Sequence, residues 1–326
     1  MGFRIFVSGS GIAEDAIQAL LAEGCLIETG DPSDTPEDLA QKLRTFNPDG
    51  IIARQGKFTS AVLNAAKALK VISKHGVGTD TIDIDAATER SIPVFITPGI
   101  NSESAAEHTL ALILSLSRRI PLQDKRIRKG VFEKKSYDGF ELSGKTLGII
   151  GFGRIGRRLS ELVAPFNMNV LIFDPVSQAE ALAPSLSKVS TLEDIFPTSD
   201  IISLHCPLTP ATKGIINRGS IAQMKNSVCI INVARGGLII EEDLCSALEN
   251  GQIGGAALDV FEVEPLSKGN PLLALDNVIV TSHVGGISDT SFKNMGLKAA
   301  QNVLAVLRGE PIDLEALVNN FTATQQ

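Results

Sequence analysis

The sequence predicts an α/β protein built from two doubly wound parallel sheets. Short apolar segments alternate with helical patterns along most of the 326 residues, which is the rhythm of parallel strands joined by crossover helices. A turn rich in glycine near residue 150 starts a second series of strands. A chain of this length is too long for one core of the usual size, so we expect two domains.

The first series of elements ends at a Thr-Pro-Gly turn at residues 97–99. Its apolar segments predict strands at residues 3–7, 26–28, 50–53, 71–73 and 93–96, with a helical pattern in each intervening stretch. A long helix is then predicted over residues 102–119. The turn after the fifth strand indicates a domain boundary near residue 99.

The second series has the strand pattern of a dinucleotide-binding sheet. Six strands are predicted, at residues 146–150, 170–173, 200–204, 228–232, 254–258 and 278–280. We expect the last helix, over residues 292–308, to cross back to the first series. The predicted organisation is a Rossmann NAD-binding domain (100–287) inserted into a flavodoxin-like substrate domain (1–99 and 288–326).

Composition narrows the classes of function. The formal net charge is −7, with 44% hydrophobic and 21% charged residues, which is typical of a soluble globular protein without a general attraction to nucleic acid or anionic membranes. No run approaches the ~18 apolar residues of a membrane span. The N-terminus lacks a signal-peptide pattern, and the four cysteines have no metal-ligand spacing. We therefore expect a cytoplasmic protein with reduced cysteines and no metal site.

The glycine-rich turn predicts a dinucleotide site. After an apolar segment, Gly151 suits the tight turn, Gly153 a close approach to a pyrophosphate, and Gly156 close packing of the next helix. That helix would direct its N-terminal amides toward the phosphates. Asp174 lies 18 residues after Gly156 at the end of the next strand, where an acid binds the adenosine ribose and repels the extra phosphate of NADP. The alternative is an ordinary turn between a strand and a helix.

Polar residues follow the other predicted strands, at the sheet edge where open α/β proteins bind ligands. Arg235, Glu264 and His283 could converge there and reduce a carbonyl next to a carboxylate, or catalyse the reverse oxidation. Arginine offers a planar fork of donors to a carboxylate, and histidine exchanges a proton near neutral pH. A glutamate bonded to the imidazole would orient it, and on the residues alone Glu262 is as good a candidate as Glu264.

The other three histidines are not predicted to act in catalysis. His75, His108 and His205 are all interpreted as structural or peripheral, and His108 falls within a helical pattern. His205 could still help to shape the cofactor pocket, because it follows a predicted strand.

Three motifs resemble those of the D-isomer-specific 2-hydroxyacid dehydrogenases, in the phosphoglycerate dehydrogenase-like group. They are Asn-Val-Ala-Arg-Gly-Gly at 232–237, Asp-Val-Phe-Glu-Val-Glu-Pro at 259–265 and His-Val-Gly-Gly at 283–286. The resemblance extends over nearly the whole chain. It implies NAD-dependent hydride transfer at C2 of a D-2-hydroxy acid or 2-keto acid, and it selects Glu264 over Glu262 as the partner of His283.

The resemblance also implies particular cofactor contacts. In relatives the equivalents of Arg154 and Ile155 contact the pyrophosphate, and that of Asp259 lies near the nicotinamide carboxamide. The full set predicted to contact NAD is Gly151, Gly153, Arg154, Ile155, Gly156, Asp174, His205, Cys206, Pro207, Thr212, Val233, Ala234, Arg235, Asp259, His283, Gly285 and Gly286.

For the substrate, the resemblance points to the first domain. Backbone amides around Val77 and Gly78 would hold the carboxylate, while Arg235 and His283 contact the reacting end. Relatives specific for phosphoglycerate usually carry an arginine at the position aligned with Ala53, whereas this chain has Arg54 one place later and a second basic residue at Lys74. The open substrates are 3-phosphoglycerate, glyoxylate, hydroxypyruvate and branched 2-keto acids.

The resemblance leaves one alternative of a different class. The family includes corepressors that bind NADH and keep the same fold and catalytic trio, so an NADH-sensing protein is the competing hypothesis. Asn101 and Glu107 match a segment that belongs to the dimer interface in relatives, which implies a homodimer.

Overall fold

The computed structural model describes residues 2–135, 137–176, 186–188 and 191–320. The described chain separates into two compact units, one formed by the residues up to Asn101 together with those from Ile287 onward, and the other by Ser102–Gly286. Each unit has its own parallel sheet. The predicted fold class is confirmed.

The first unit is a five-stranded sheet in the order β2-β1-β3-β4-β5, with every neighbouring pair parallel. This is the strand order of flavodoxin-like folds. The strands are β1 (Arg4–Val7), β2 (Leu26–Thr29), β3 (Gly50–Ala53), β4 (Val71–Lys74) and β5 (Val94–Phe95), and the helices are α1 (Glu14–Ala22), α2 (Pro36–Phe46), α3 (Ser60–Ala65) and α4 (Ile84–Glu89).

The second unit is a seven-stranded parallel sheet in the order β12-β11-β10-β9-β6-β7-β8. The strands are β6 (Thr146–Ile150), β7 (Asn169–Phe173), β8 (Leu186–Lys188), β9 (Ile201–Leu204), β10 (Cys229–Asn232), β11 (Gly255–Leu258) and β12 (Val278–Val280). The helices are α5 (Ser102–Ser117), α6 (Ile120–Arg128), α7 (Arg154–Val163), α8 (Leu192–Thr198), α9 (Arg218–Ile221) and α10 (Glu241–Glu249). Strand order reverses at β6, between β9 and β7, as in a Rossmann sheet.

The prediction of six strands in the second unit is wrong, because the sheet has a seventh strand, β8, which is not predicted. This strand has three residues and pairs with β7 at the edge of the sheet. Its sequence, Leu-Ser-Lys, has neither a continuous apolar run nor enough length for alternation to be recognised.

Apolar residues fill both faces of the two sheets. All residues of β3, β9, β10 and β11 are buried, which explains why these strands read as continuous apolar runs rather than alternating patterns. Each fully buried Ile, Leu or Val side chain contributes about 1.5–3 kcal/mol to the free energy of folding. No helix in the described ranges is long and apolar enough to cross a membrane.

The last helix, α11 (Asp289–Arg308), completes the first unit although it follows the second unit in sequence. It begins at a capping box in which Ser288 and Ser291 bond each other's backbone amides. A Cβ at Gly50 would lie 2.6 Å from Cγ1 of Val303, so only glycine lets α11 pack this close to β3. The buried Asn302 amide donates to Ser73 Oγ at 3.3 Å.

Candidate active site

The turn after β6 requires glycine at two positions for steric reasons. Gly151 has a φ of 95°, and a Cβ there would lie 2.5 Å from the backbone nitrogen of Cys206. A Cβ at Gly156 would lie 2.4 Å from the carbonyl oxygen of Gly151. The first glycine therefore makes the turn and the third lets α7 approach it, which are the roles that the sequence predicts for them.

The start of α7 has room for a phosphate group. Gly153 is the N-cap residue, and apart from its chain neighbours no described heavy atom lies within 4 Å of the position a Cβ would take there. Arg154 and Ile155 form the first turn of the helix. The open space beside free N-terminal amides suits a pyrophosphate.

Asp174 lies next to this turn at the end of β7. Its carboxylate accepts hydrogen bonds from the amides of Phe152 at 2.5 Å and Val176 at 2.8 Å. The glycine turn, the helix N-terminus and an acid are thus adjacent, which is the set that a dinucleotide requires. The residues present fit NAD.

The residues after β9 that are predicted to contact the cofactor are His205, Cys206, Pro207 and Thr212. His205 bonds Ser203 Oγ through Nε2 at 2.8 Å, and burial lowers its pKa to about 4, so its imidazole is neutral at physiological pH. Burial raises the pKa of the Cys206 thiol to about 11. Thr212 Oγ1 donates to the carbonyl of Pro207 at 2.6 Å and holds the loop in shape.

The loop after β10 carries Val233, Ala234 and Arg235. The buried Asn232 side chain bonds the Ala234 amide at 3.0 Å and the Arg235 carbonyl at 2.9 Å. A Cβ on Gly236 would lie 1.9 Å from the carbonyl oxygen of Phe261. This loop therefore packs directly on the segment that leads to Glu264.

Glu264 and His283 form the central pair of the site. Glu264 Oε2 lies 2.8 Å from His283 Nδ1, and Glu264 Oε1 accepts from the Phe261 amide at 3.1 Å. The side chains are 35% and 51% exposed, so solutes can reach the imidazole. Glu262, the alternative partner on the residues alone, instead contacts Glu241 through its backbone amide.

The electrostatic environment keeps Glu264 charged. Burial acts to raise the pKa of its carboxyl, but the hydrogen bonds from His283 and the Phe261 amide outweigh this. The positive charges of His283 and Arg235 also lower that pKa, so that it lies below its ordinary value. At neutral pH a carboxylate therefore faces Nδ1 of the imidazole.

Asp259 hydrogen-bonds the turn that carries His283. His283 has a φ of 56°, a left-handed conformation that costs a residue other than glycine about 1 kcal/mol or more. Its amide donates to the Asp259 carbonyl at 2.8 Å, and the Asp259 carboxylate accepts from the amides of Val284 and Gly285 at 2.9 and 2.8 Å. Gly286 ends the turn and the second unit.

The predicted substrate residues lie in the first unit. Arg54 Nη1 donates to Ser10 Oγ and to the Gly11 carbonyl, and Lys74 Nζ donates to the Arg54 carbonyl at 3.0 Å. The Lys74 ammonium therefore contacts the backbone of Arg54, whose guanidinium lies at Ser10 and Gly11. Val77 is 37% exposed and begins the Val77-Gly78 segment directly after Gly76, whose φ of 133° turns the chain.

The contacts of Phe292 are not predicted from the sequence. Its ring lies in the first turn of α11, 4.9 Å from the Arg54 guanidinium and 5.1 Å from the His75 ring. Burial lowers the pKa of His75 to about 4, so the Phe292 ring contacts a neutral imidazole, tilted by 55°, and a cation. A phenylalanine near the start of a helix has no sequence signal that distinguishes this role from ordinary packing.

Comparison with known proteins agrees with this geometry. The family model for the NAD-binding domain of D-isomer specific 2-hydroxyacid dehydrogenases matches residues 110–285. The chain belongs to this family.

Within the D-isomer specific 2-hydroxyacid dehydrogenases, a D-3-phosphoglycerate dehydrogenase of Methanocaldococcus jannaschii is 43% identical over 91% of this chain and 56% of its own length. A solved structure of a protein from Thermus thermophilus is 34% identical, with a TM-score of 0.89 over 97% of this chain and 100% of the other. An NAD-dependent formate dehydrogenase of Staphylococcus aureus, solved with NAD, is 26% identical with a TM-score of 0.88 over 98% and 100% of the two chains.

These findings confirm the predicted family and NAD as the cofactor. The chain spans little more than half the length of the first curated relatives, 57%, 56% and 58%. No group of His, Cys, Asp or Glu in the described residues is arranged to hold a metal ion.

Proposed function

We propose that this protein is an NAD-dependent dehydrogenase that interconverts a D-2-hydroxy acid and its 2-keto acid, with 3-phosphoglycerate as the substrate. The observation that carries this proposal is the 2.8 Å contact between Glu264 and His283 at the strand ends of the NAD-binding unit. An imidazole that is hydrogen-bonded to a carboxylate can transfer one proton to or from a carbonyl oxygen. A nearby arginine can bind the carboxylate group next to that carbonyl.

His283 is the acid and base of the proposed reaction. NAD supplies the hydride chemistry when it is bound. Because Nδ1 of His283 is engaged by Glu264, Nε2 is the atom that gives a proton to the oxygen on C2 during reduction and takes it back during oxidation. Glu264 fixes the ring orientation through its contact with Nδ1.

Arg235 orients the substrate. Its planar guanidinium offers parallel donors to the carboxylate and the C2 oxygen, a geometry that a lysine ammonium lacks. The Asn232 side chain fixes the Arg235 backbone carbonyl at 2.9 Å, and Arg235 Nη1 donates to the Ala234 carbonyl at 2.6 Å, so the guanidinium is held at the end of β10.

In this proposal, residues of the first unit bind the carboxylate and the phosphate of the substrate. The amides near Val77 and Gly78 form an anion nest for the carboxylate, and Arg54 with Lys74 binds the phosphate. Arg54 donates to neutral oxygens in the described structure, so its charge is not neutralised by a carboxylate there. The curated relatives that carry the name D-3-phosphoglycerate dehydrogenase support the same choice.

Kinetics with phosphorylated and unphosphorylated keto acids test this assignment. We expect wild-type protein to oxidise NADH fastest with 3-phosphohydroxypyruvate, and Arg54→Gln to lose about tenfold or more in kcat/KM for that substrate, because a charge-assisted hydrogen bond is removed. Values for hydroxypyruvate and glyoxylate should change little. Lys67→Gln removes an exposed cation of the same unit and is the matched control.

Equal losses for all three keto acids in Arg54→Gln would contradict a phosphate site at this residue. NADH binding without oxidation by any keto acid would favour the sensor hypothesis.

The homodimer and the cytoplasmic location stay predictions. Exposed apolar side chains on and after α6, namely Ile120, Ile127, Val131 and Phe132, support the homodimer.

A further inference from the structure

His108 in α5 contacts the strand ends beneath the His283 turn. Its Nε2 lies 3.1 Å from Oγ1 of Thr281 and 3.6 Å from Oδ1 of Asp259. Thr281 directly follows β12 and Asp259 directly follows β11. The helical pattern around His108 gives no hint of this contact, and none of the predicted roles involves it.

The hydrogen bonds among His108, Thr281 and Asp259 have a fixed order of donors and acceptors. Thr281 donates its hydroxyl proton to Asp259 Oδ1 at 2.6 Å. A hydroxyl has one proton, so Thr281 can only accept from His108, whose Nε2 must carry a hydrogen. The chain of donors therefore runs from His108 to Thr281 to Asp259.

Asp259 is the point at which this chain meets the catalytic turn. Its side chain is 1% exposed, and a buried carboxylate must be satisfied by donors. Thr281 supplies one donor, and the amides of Val284 and Gly285 supply two more. The orientation that Thr281 gives the carboxylate thereby sets the path of the backbone directly after His283.

The His108 ring also contacts the turn by packing. A Cβ at Gly285 would lie 3.2 Å from Cδ2 of His108 and 2.9 Å from Oδ2 of Asp259. The imidazole and the carboxylate thus lie against the same glycine. A change in either group is transmitted to a residue two positions from His283.

We propose that His108 is a positioning residue for His283, acting through Thr281 and Asp259. This inference rests on the proposed function, in which His283 moves the proton. His108 keeps the Thr281 hydroxyl pointed at Asp259, and Asp259 keeps the left-handed His283 backbone in the orientation needed for catalysis. Without the donor at His108, the Thr281 hydroxyl can rotate and the turn loses its fixed orientation.

Two shape-conserving substitutions test the chain of donors. His108→Phe keeps a planar ring without a donor, and Thr281→Val keeps the branched shape without a hydroxyl. We expect each to lower kcat about tenfold, the scale of a small misplacement of a catalytic group, with little change in KM or in NADH affinity. The double variant should lose no more than either single one, because both break the same chain.

Conservative variants separate positioning from packing. Gln presents an amide N–H near the position of histidine Nε2, so His108→Gln should recover most of the lost kcat, as should Thr281→Ser. Ala111→Ser, at an exposed position of α5, is the control for a change in the helix. Losses that multiply in the double variant, or a kcat within about twofold of wild type in both single variants, would overturn the proposal.

Histidine NMR gives a readout that needs no turnover. The chain has four histidines, so the Cε1–H signal of His283 is assigned by its loss in His283→Ala. We expect it to shift or broaden in His108→Phe and in Thr281→Val but not in Ala111→Ser, and an unchanged signal would overturn the inference. If wild-type protein reduces no keto acid, the proposed function fails, and this signal still decides whether His108 positions His283.

Discussion

Replacing His283 with alanine is expected to lower kcat for keto-acid reduction about 10³-fold, within the range typical of general acid catalysis. In the proposed function the imidazole supplies the proton, and its Nδ1 contact with Glu264 at 2.8 Å leaves Nε2 for that task. NADH affinity, measured by fluorescence titration, should change little. Ser282→Ala, at the exposed neighbouring position, is the control, and turnover in His283→Ala near that of the control would reject His283 as the acid.

Glu264→Gln is the milder counterpart. The pKa of the Glu264 carboxyl is lowered, so the group is a carboxylate at neutral pH, and its two oxygens bond His283 Nδ1 and the Phe261 amide. Glutamine keeps the size of the side chain but replaces one of the two accepting oxygens by an NH2 group, so the imidazole is held less firmly in place. We expect kcat to fall about tenfold with NADH affinity nearly unchanged, and an unchanged kcat would contradict a role for Glu264 in orienting the ring.

The second large effect is expected at Arg235. Arg235→Lys keeps the positive charge but loses the planar pair of donors, so kcat/KM should fall about 10²-fold or more, while NADH affinity changes far less. Arg218→Lys is the matched control, because that arginine is 79% exposed and pairs with Asp243. A lysine variant with nearly full kcat/KM would show that only charge matters at this position.

The sequence predicts most of the fold because both sheets are parallel. Strands covered by helices on both faces are continuous apolar runs, and these are easy to recognise. The strand β8 is not predictable in this way, since a three-residue edge strand needs no apolar run. Its position follows from the pairing with β7, which a pattern along the chain does not contain.

The candidate site is predictable to the extent that residues lie at strand ends. Arg235, Glu264 and His283 follow β10, β11 and β12, and the carboxyl ends of parallel strands meet at one edge. The contacts of His108 and Phe292 are not predictable, because both lie on helices, where a side chain's partner depends on how the helix packs. The residues alone leave the choice between Glu262 and Glu264 open, the family resemblance selects Glu264, and the loop geometry brings Glu264 to His283.

The most direct test of the central claim is the product made by wild-type protein from NADH and 3-phosphohydroxypyruvate. We expect one NADH to be consumed for each molecule of product, and the product to be 3-phosphoglycerate of the D configuration alone. Formation of the L isomer, or tight NADH binding with no oxidation by any of the keto acids named above, would contradict a D-specific dehydrogenase that uses His283 as its acid.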